Sequence, residues 1–221
     1  MIYLIIKRIS DVILSLLALI VLSPLMIITA IIIYASDPGP VLYRSSRVGK
    51  DGLIFHMYKF RSMYQNDVKT PLITLRNDDR IFPFGRFIRK SKIDELPQLL
   101  NIIQGKMSIV GWRPEDIDNK DKVFKNEYER ILTIKPGLTS PASLYDYTHG
   151  EKCDNEEVYE TEFLEQKLML ELYYVDNRTL LYDVRLIWRT IKTIVQVVIG
   201  DDEFPLPIEF QLIQERNDEI K

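Results

Sequence analysis

From Val12 to Ala35 the chain reads VILSLLALIVLSPLMIITAIIIYA, 24 residues without a charge, and this run constrains the molecule more than any other feature. At ~1.5 Å per residue it makes a helix of roughly 36 Å, enough for the hydrocarbon core of a bilayer. A soluble domain built from 221 residues has no need of such a run, so membrane contact follows. Lys7 and Arg8 resemble the charged start of a secretory signal peptide, but the apolar stretch is too long and no A-x-A-like cleavage site follows it. A straight single-span anchor is one reading. Two observations oppose it. Ser23-Pro24 stands mid-run, where proline removes a backbone hydrogen bond and kinks or breaks a helix. Basic residues flank both ends, Lys7 and Arg8 before and Arg44, Arg47 and Lys50 after, which places both ends on the cytoplasmic side. The reading adopted is a re-entrant membrane hairpin over residues 1–36, helix–break–helix, with its break at Ser23 and Pro24.

The rest of the chain reads as a folded domain with 46% hydrophobic and 28% charged residues. Cys153 is the only cysteine, so no internal disulfide is possible. Residues 1–150 carry 21 Lys/Arg against 15 Asp/Glu, whereas residues 151–221 carry 8 against 17. A basic front half suits an anionic partner such as a phosphate, a nucleotide or lipid headgroups, but not specifically a nucleic acid.

DPGP at 37–40 ends the membrane segment. Alternation over 41–63 around the KDG turn at 50–52 predicts a β-hairpin, and 64–79 reads as polar loop. Leu96, Leu99, Leu100 and Ile103 space an amphipathic helix stopped by Gly105. Further helices are predicted over 155–174 and 181–199. The last has an apolar stripe through Val184, Ile187, Ile191, Ile194, Val195 and Val198, with Trp188 and basic residues beside it, and fits either a membrane surface or a core. Residues 201–221, with 7 acidic and 2 basic residues, read as a mobile acidic tail. No strand–helix alternation is visible, so the fold class expected is mostly α with a small β-hairpin (α+β). The domain organisation expected is a hairpin over 1–36, a compact cytoplasmic catalytic domain over 37–200 and the tail.

Residues 80–115 carry the chemistry. Arg80, Arg86, Arg89, Lys90 and Lys92 give five cations in thirteen residues, and Asp94-Glu95 follow at once. Acids beside cations suit phosphoryl transfer: the carboxylates hold a divalent metal or attack phosphorus, and the cations neutralise phosphate oxygens. Arg113-Pro114 in a GWRP turn offers a planar fork for bidentate phosphate binding. The same residues also read as a helix start, with Ser91 and Asp94 forming a capping box. His56 and His149, each without a cysteine or second histidine nearby, read as structural or surface residues.

Taken together these segments resemble the bacterial sugar transferase family, specifically its small monotopic phosphoglycosyl transferases. The matching pieces come in order: the hydrophobic run with Ser23-Pro24, YKFRSM (58–63), GRFIRKSKIDELPQLLNIIQGKMSIVGWRP (85–114), KPGLTS (135–140) and LELYYVDNRTLLYDVRLIWRTI (170–191). The resemblance implies transfer of a hexose 1-phosphate from a UDP-sugar to undecaprenyl phosphate on the cytoplasmic face of the bacterial inner membrane. It implies magnesium, release of UMP, and a place at the first membrane step of an O-antigen, capsule, exopolysaccharide or glycoprotein glycan. It further implies Asp94 as nucleophile and metal ligand, with a covalent phosphosugar intermediate. Glu95 then assists as base or metal-site partner, and Lys59, Arg89 and Arg113, with Pro114 in the same motif, contact phosphate or nucleotide. Many relatives have proline at Trp112, so a differently shaped loop is expected there, and SPASLYDYTHGE after KPGLTS departs from the common pattern and leaves the sugar open. Larger relatives carry extra membrane helices and a soluble domain, so the minimal form is expected. The rival functions are a metal-dependent nucleotide-sugar hydrolase and a non-catalytic membrane scaffold.

Overall fold

A computed structural model describes residues 2–65, 79–150 and 163–219 of the chain. The apolar run lies within one helix, α1 (Ile2–Ser36), long and apolar enough by length and composition to cross a membrane. Most of its large side chains are exposed, Ile20 and Val21 among them. Where helix–break–helix was expected, the helix continues through Pro24. Proline lacks the N–H that would bond the carbonyl four residues back. Here the Ser23 hydroxyl donates to that carbonyl, Ile20 O, at 2.8 Å, so the gap is filled locally.

A narrow stripe of α1 is buried, through Asp11, Ser15, Thr29 and Ile33. It meets the rest of the chain along its whole length. Arg8 donates to the carbonyls of Ile102 and Ile103, and Asp11 accepts from the Ser108 hydroxyl at 2.7 Å and the Ile109 N–H at 3.1 Å. Lys7 pairs with Asp183 at 2.8 Å. Ala18 and Leu19 pack on Leu99, Ile102 and Met107, and Met26, Ala30 and Ile33 on Phe60, Phe82 and Ile88.

The predicted hairpin is β1 (Leu42–Val48) against β2 (Ile54–Phe60), antiparallel, pairing Leu42 with Phe60 and Val48 with Ile54. Its turn takes left-handed backbone at Asp51 (φ 57°) and Gly52 (φ 72°). Of the loop expected at 64–79, residues 66–78 lie outside the described residues, as do Cys153 and residues 155–162 of the next predicted helix.

Helix α2 (Pro83–Lys90) opens on a proline at its first turn, where the missing N–H costs nothing. It passes so close to the hairpin's exit that a Cβ on Gly85 would stand 2.1 Å from the Ser62 carbonyl oxygen. The amphipathic spacing after it yields only the short α3 (Gln98–Ile103). Two three-residue strands follow that periodicity could not reveal, β3 (Ser108–Val110) and β4 (Gly137–Thr139), paired in parallel, with the short α4 (Lys120–Val123) between them. Gly111 and Gly137 pass so closely that a Cβ on Gly137 would lie 2.1 Å from the Gly111 nitrogen. Next come α5 (Pro141–Thr148), capped by Ser140, α6 (Leu164–Asn177) and α7 (Leu180–Ile199), capped by Thr179 and closed by Gly200 at φ 116°. Of the stripe expected on α7, Val184, Ile191, Val195 and Val198 are exposed, with Leu181 and Trp188 beside them, whereas Ile187 packs against the core.

The tail differs from the mobile extension expected. It contains α8 (Ile208–Glu219). Glu209, only 1% exposed, accepts from the Tyr182 hydroxyl at 2.8 Å and pairs with Arg189, so one of the acids that made the tail look solvated is a buried anchor.

One amide fastens the hairpin to the helices. Asn101, fully buried on α3, accepts from the Tyr58 N–H at 3.0 Å and donates to the His56 carbonyl at 2.7 Å. Asn101→Leu removes both bonds and strands two backbone groups. We expect a loss of about 3 kcal/mol in denaturant unfolding. An unchanged unfolding midpoint would refute this role.

Candidate active site

Asp94 and Glu95 sit on a 3₁₀ turn, Ile93–Glu95, between α2 and α3. The capping-box alternative fails here: the Ser91 hydroxyl donates back to Phe87 and Ile88 carbonyls, and Pro97 holds the N-cap of α3. The turn begins at Lys92, whose left-handed backbone (φ 55°, ψ 16°) costs a non-glycine residue about 1–2 kcal/mol. The Lys92 ammonium lies 4.1 Å from the centre of the Tyr147 ring, and the Tyr147 hydroxyl donates to the Lys90 carbonyl, so α5 holds the turn from outside.

Both carboxylates are buried, and their surroundings differ. Glu95 Oε1 accepts from Lys59 Nζ at 2.9 Å, with Arg113 Nη1 at 3.6 Å. Burial alone would raise the Glu95 carboxyl, but Lys59 and Arg113 outweigh it and hold the group far below the usual carboxylate range. Asp94 has no such partner. Its Oδ1 is shielded from water and has no hydrogen-bond partner among the described residues. Burial pushes the Asp94 carboxyl up; the charge of Lys59 opposes this, and Glu95 adds to it. The turn thus carries one firmly anionic carboxylate, clamped by two cations, and one poised carboxylate with an open oxygen.

Arg113 bridges two elements, its Nη1 towards Glu95 and its Nε 3.4 Å from Asp146 on α5. Its own N–H donates to Glu171 Oε1 at 2.9 Å, and the Ser140 hydroxyl donates to the same oxygen at 3.0 Å. Trp112, expected to reshape the loop, turns into the core instead, 1% exposed, with its indole N–H on the Ile134 carbonyl and its ring edge-on to Phe124. That anchors the backbone from which Arg113 projects.

Arg47, Met57, Lys59, Glu95, Gln98, Arg113, Pro114 and Gly137 line an open cleft of about 310 Å³. Of the residues expected at a site, Lys59, Glu95, Arg113 and Pro114 therefore meet in one cleft, with Asp94 beside Glu95. Arg89 is half-buried on α2 outside the cleft lining; its charge still favours the ionised form of Asp94. Ser23 and Pro24 lie in α1, remote from these elements in the chain. His56 is exposed and bonds to Ser46, and the half-buried His149 bonds to Thr148. Arg47, Gln98, Asp146 and Glu171 were missed. Only Gln98 had a signal, its place one turn beyond the acids; the others lie dozens of residues from the motif.

The profile for bacterial sugar transferases matches residues 2–197. The chain belongs to this family. Among its relatives are a UDP-N-acetylgalactosamine-undecaprenyl-phosphate N-acetylgalactosaminephosphotransferase of Aeromonas hydrophila, 35% identical over 88% of this chain and 44% of that protein. A UDP-glucose:undecaprenyl-phosphate glucose-1-phosphate transferase of Xanthomonas campestris pv. campestris is 37% identical over 82% of this chain and 37% of its own length. An exopolysaccharide production protein of Rhizobium leguminosarum bv. phaseoli is 34% identical over 85% of this chain and 94% of its own. The chain thus spans less than half of the length of the first two relatives.

In this bacterial sugar transferase, Glu171 supplies a pH test. Burial pushes its carboxyl up to about 7, although Arg113 and Ser140 donate to it. A carboxyl raised above its unfolded value holds its proton more tightly in the folded state. The penalty is therefore absent below about pH 4, grows as pH rises towards 7 and is complete above it. Glu171→Gln keeps the accepting oxygen and removes the charge. It should leave stability nearly unchanged at pH 4.5 and raise it by roughly 2–3 kcal/mol at pH 8. Thermal melts of both proteins across that range check this, and parallel melting curves at both pH values would contradict it.

Proposed function

We propose that this chain transfers a hexose 1-phosphate from a UDP-sugar to undecaprenyl phosphate, releasing UMP, with Asp94 as the covalent nucleophile. The observation that carries the reading is the unpartnered buried oxygen of Asp94 beside a Glu95 already committed to Lys59 and Arg113. An oxygen left open at that cost is explained by a reaction partner. The names of the relatives supply the donor and acceptor classes.

The chemistry runs as two displacements. Asp94 Oδ1 attacks the phosphorus that bears the sugar, and the bond from that phosphorus to the oxygen of UMP breaks, its electron pair leaving with UMP. An aspartyl phosphosugar anhydride results. A phosphate oxygen of the lipid acceptor then attacks the same phosphorus, the bond to Asp94 breaks, and the carboxylate is restored as the diphosphate-linked lipid leaves. Lys59 and Arg113 neutralise the phosphoryl oxygens, while Glu95 keeps both cations at the reacting centre. Arg89 counters burial at Asp94.

Magnesium fits this donor set. Among the described residues no three potential ligands cluster, but magnesium is commonly held by one or two carboxylates, waters and substrate phosphates. Asp94 supplies an open oxygen and Glu95 is its neighbour. When bound, the ion would offset charge on the diphosphate.

For localisation we propose a monotopic arrangement on the cytoplasmic face of the bacterial inner membrane. Asp11 and Ile33 both touch the catalytic part, yet 22 residues of straight helix would separate them by roughly 33 Å, about one bilayer core. A helix perpendicular to the membrane could not meet one compact domain at both points. The outward stripe of α7 with Trp188 supports the same membrane-facing side.

Purified protein in nanodiscs with magnesium, a panel of UDP-sugars and undecaprenyl phosphate should release UMP only when the lipid is present. Release without lipid would favour the hydrolase, and no release would leave the scaffold. Asp94→Asn should lower turnover at least about 10³-fold without lowering the melting temperature. Retention of more than a few per cent of activity in the folded variant would sink the nucleophile role. For topology, single cysteines at Ile2 and Ser36 in a Cys153→Ser background should both resist an impermeant thiol reagent applied to intact cells whose outer barrier is open. Labelling of either end from outside would exclude the re-entrant arrangement.

A further inference from the structure

Gln98 opens α3 one turn beyond the acids, and at i+3 and i+4 it shares their side of the turn. It lines the cleft and is only 2% exposed. Among the described residues neither end of its amide has a hydrogen-bond partner. Three residues later Asn101 carries the same functional group, equally buried, and uses both ends on the hairpin backbone. One amide is structural. The other forms no hydrogen bond among the described residues while it lines an open cleft, so both of its ends are available to a ligand there.

The character of the cleft narrows that ligand. Lys59, Arg47 and Arg113 already match phosphate oxygens, and Glu95 already balances charge at the reacting centre. A neutral group that donates from one end and accepts at the other complements a hydroxyl, which does the same. The hydroxyls nearest the reacting phosphorus of a nucleotide sugar belong to its hexose. We propose that Gln98 hydrogen-bonds a hydroxyl of the transferred hexose and is a specificity-determining residue for the donor. This rests on the transferase reading above.

The test compares wild type with Gln98→Met, which keeps length but neither donates nor accepts, on the preferred UDP-sugar and its monodeoxy analogues in nanodiscs. The Met variant should lose about tenfold in kcat/KM on the parent donor, the worth of one hydrogen bond. On the analogue lacking the recognised hydroxyl, wild type and variant should be equal. The ligand-free variant should melt no lower than wild type, since an unpartnered amide has been replaced by an apolar chain. Should the Met variant not fold, Gln98→Asn, one methylene shorter, carries the same comparison. An equal loss on every analogue, no loss at all, or a lower melting temperature without donor selectivity would overturn the assignment while leaving the transferase reading intact. A wild type that neither binds nor turns over any UDP-sugar would overturn both.

Discussion

The Lys59–Glu95–Arg113 cluster is the contact on which the rest depends. Two adjacent carboxylates cannot be buried together unless positive charge is brought in from elsewhere. Here it comes from β2 and from the loop after β3, segments that meet only because the chain folds around the acidic turn. Asn101 fixes one of these segments, and Trp112 and Glu171 fix the other. The close passage of Gly111 and Gly137 keeps that loop's backbone in place beneath Arg113. The molecule thus supports one acid with fixed cations and leaves the other with an open oxygen.

Helix α1 belongs to the same construction. Arg8 caps the end of α3, the helix that follows the acidic turn, and Asp11 holds β3, the strand that leads to Arg113. Farther along, Ile33 packs under α2 and the end of β2. An apolar segment that could have been a mere tether instead packs against the elements that carry the candidate site.

Much of this was legible in the residues. The apolar run, the KDG hairpin, the cations before Asp94-Glu95 and the last long helix each carry a local signature, of charge, alternation or period. The acids' neighbourhood was less legible, because Lys59, Arg113, Asp146 and Glu171 are joined by tertiary contacts that no spacing encodes. The pairing of β3 with β4 joins three-residue strands whose partners lie far apart in sequence, too short for alternation to show. Trp112 read as a loop residue and proved to be core. Glu209 read as part of an acidic tail, yet its partners Tyr182 and Arg189 lie on α7, out of reach of any local pattern.

The Ser23 hydroxyl on the Ile20 carbonyl has a mechanical consequence. A proline inside a helix normally leaves the carbonyl four residues back without its donor. With the acceptor already satisfied by the Ser23 hydroxyl, Pro24 leaves no such group without a partner. Serine before proline lets one rod run on unbroken, so that Leu19 on one side and Met26 on the other are held against two separate parts of the core.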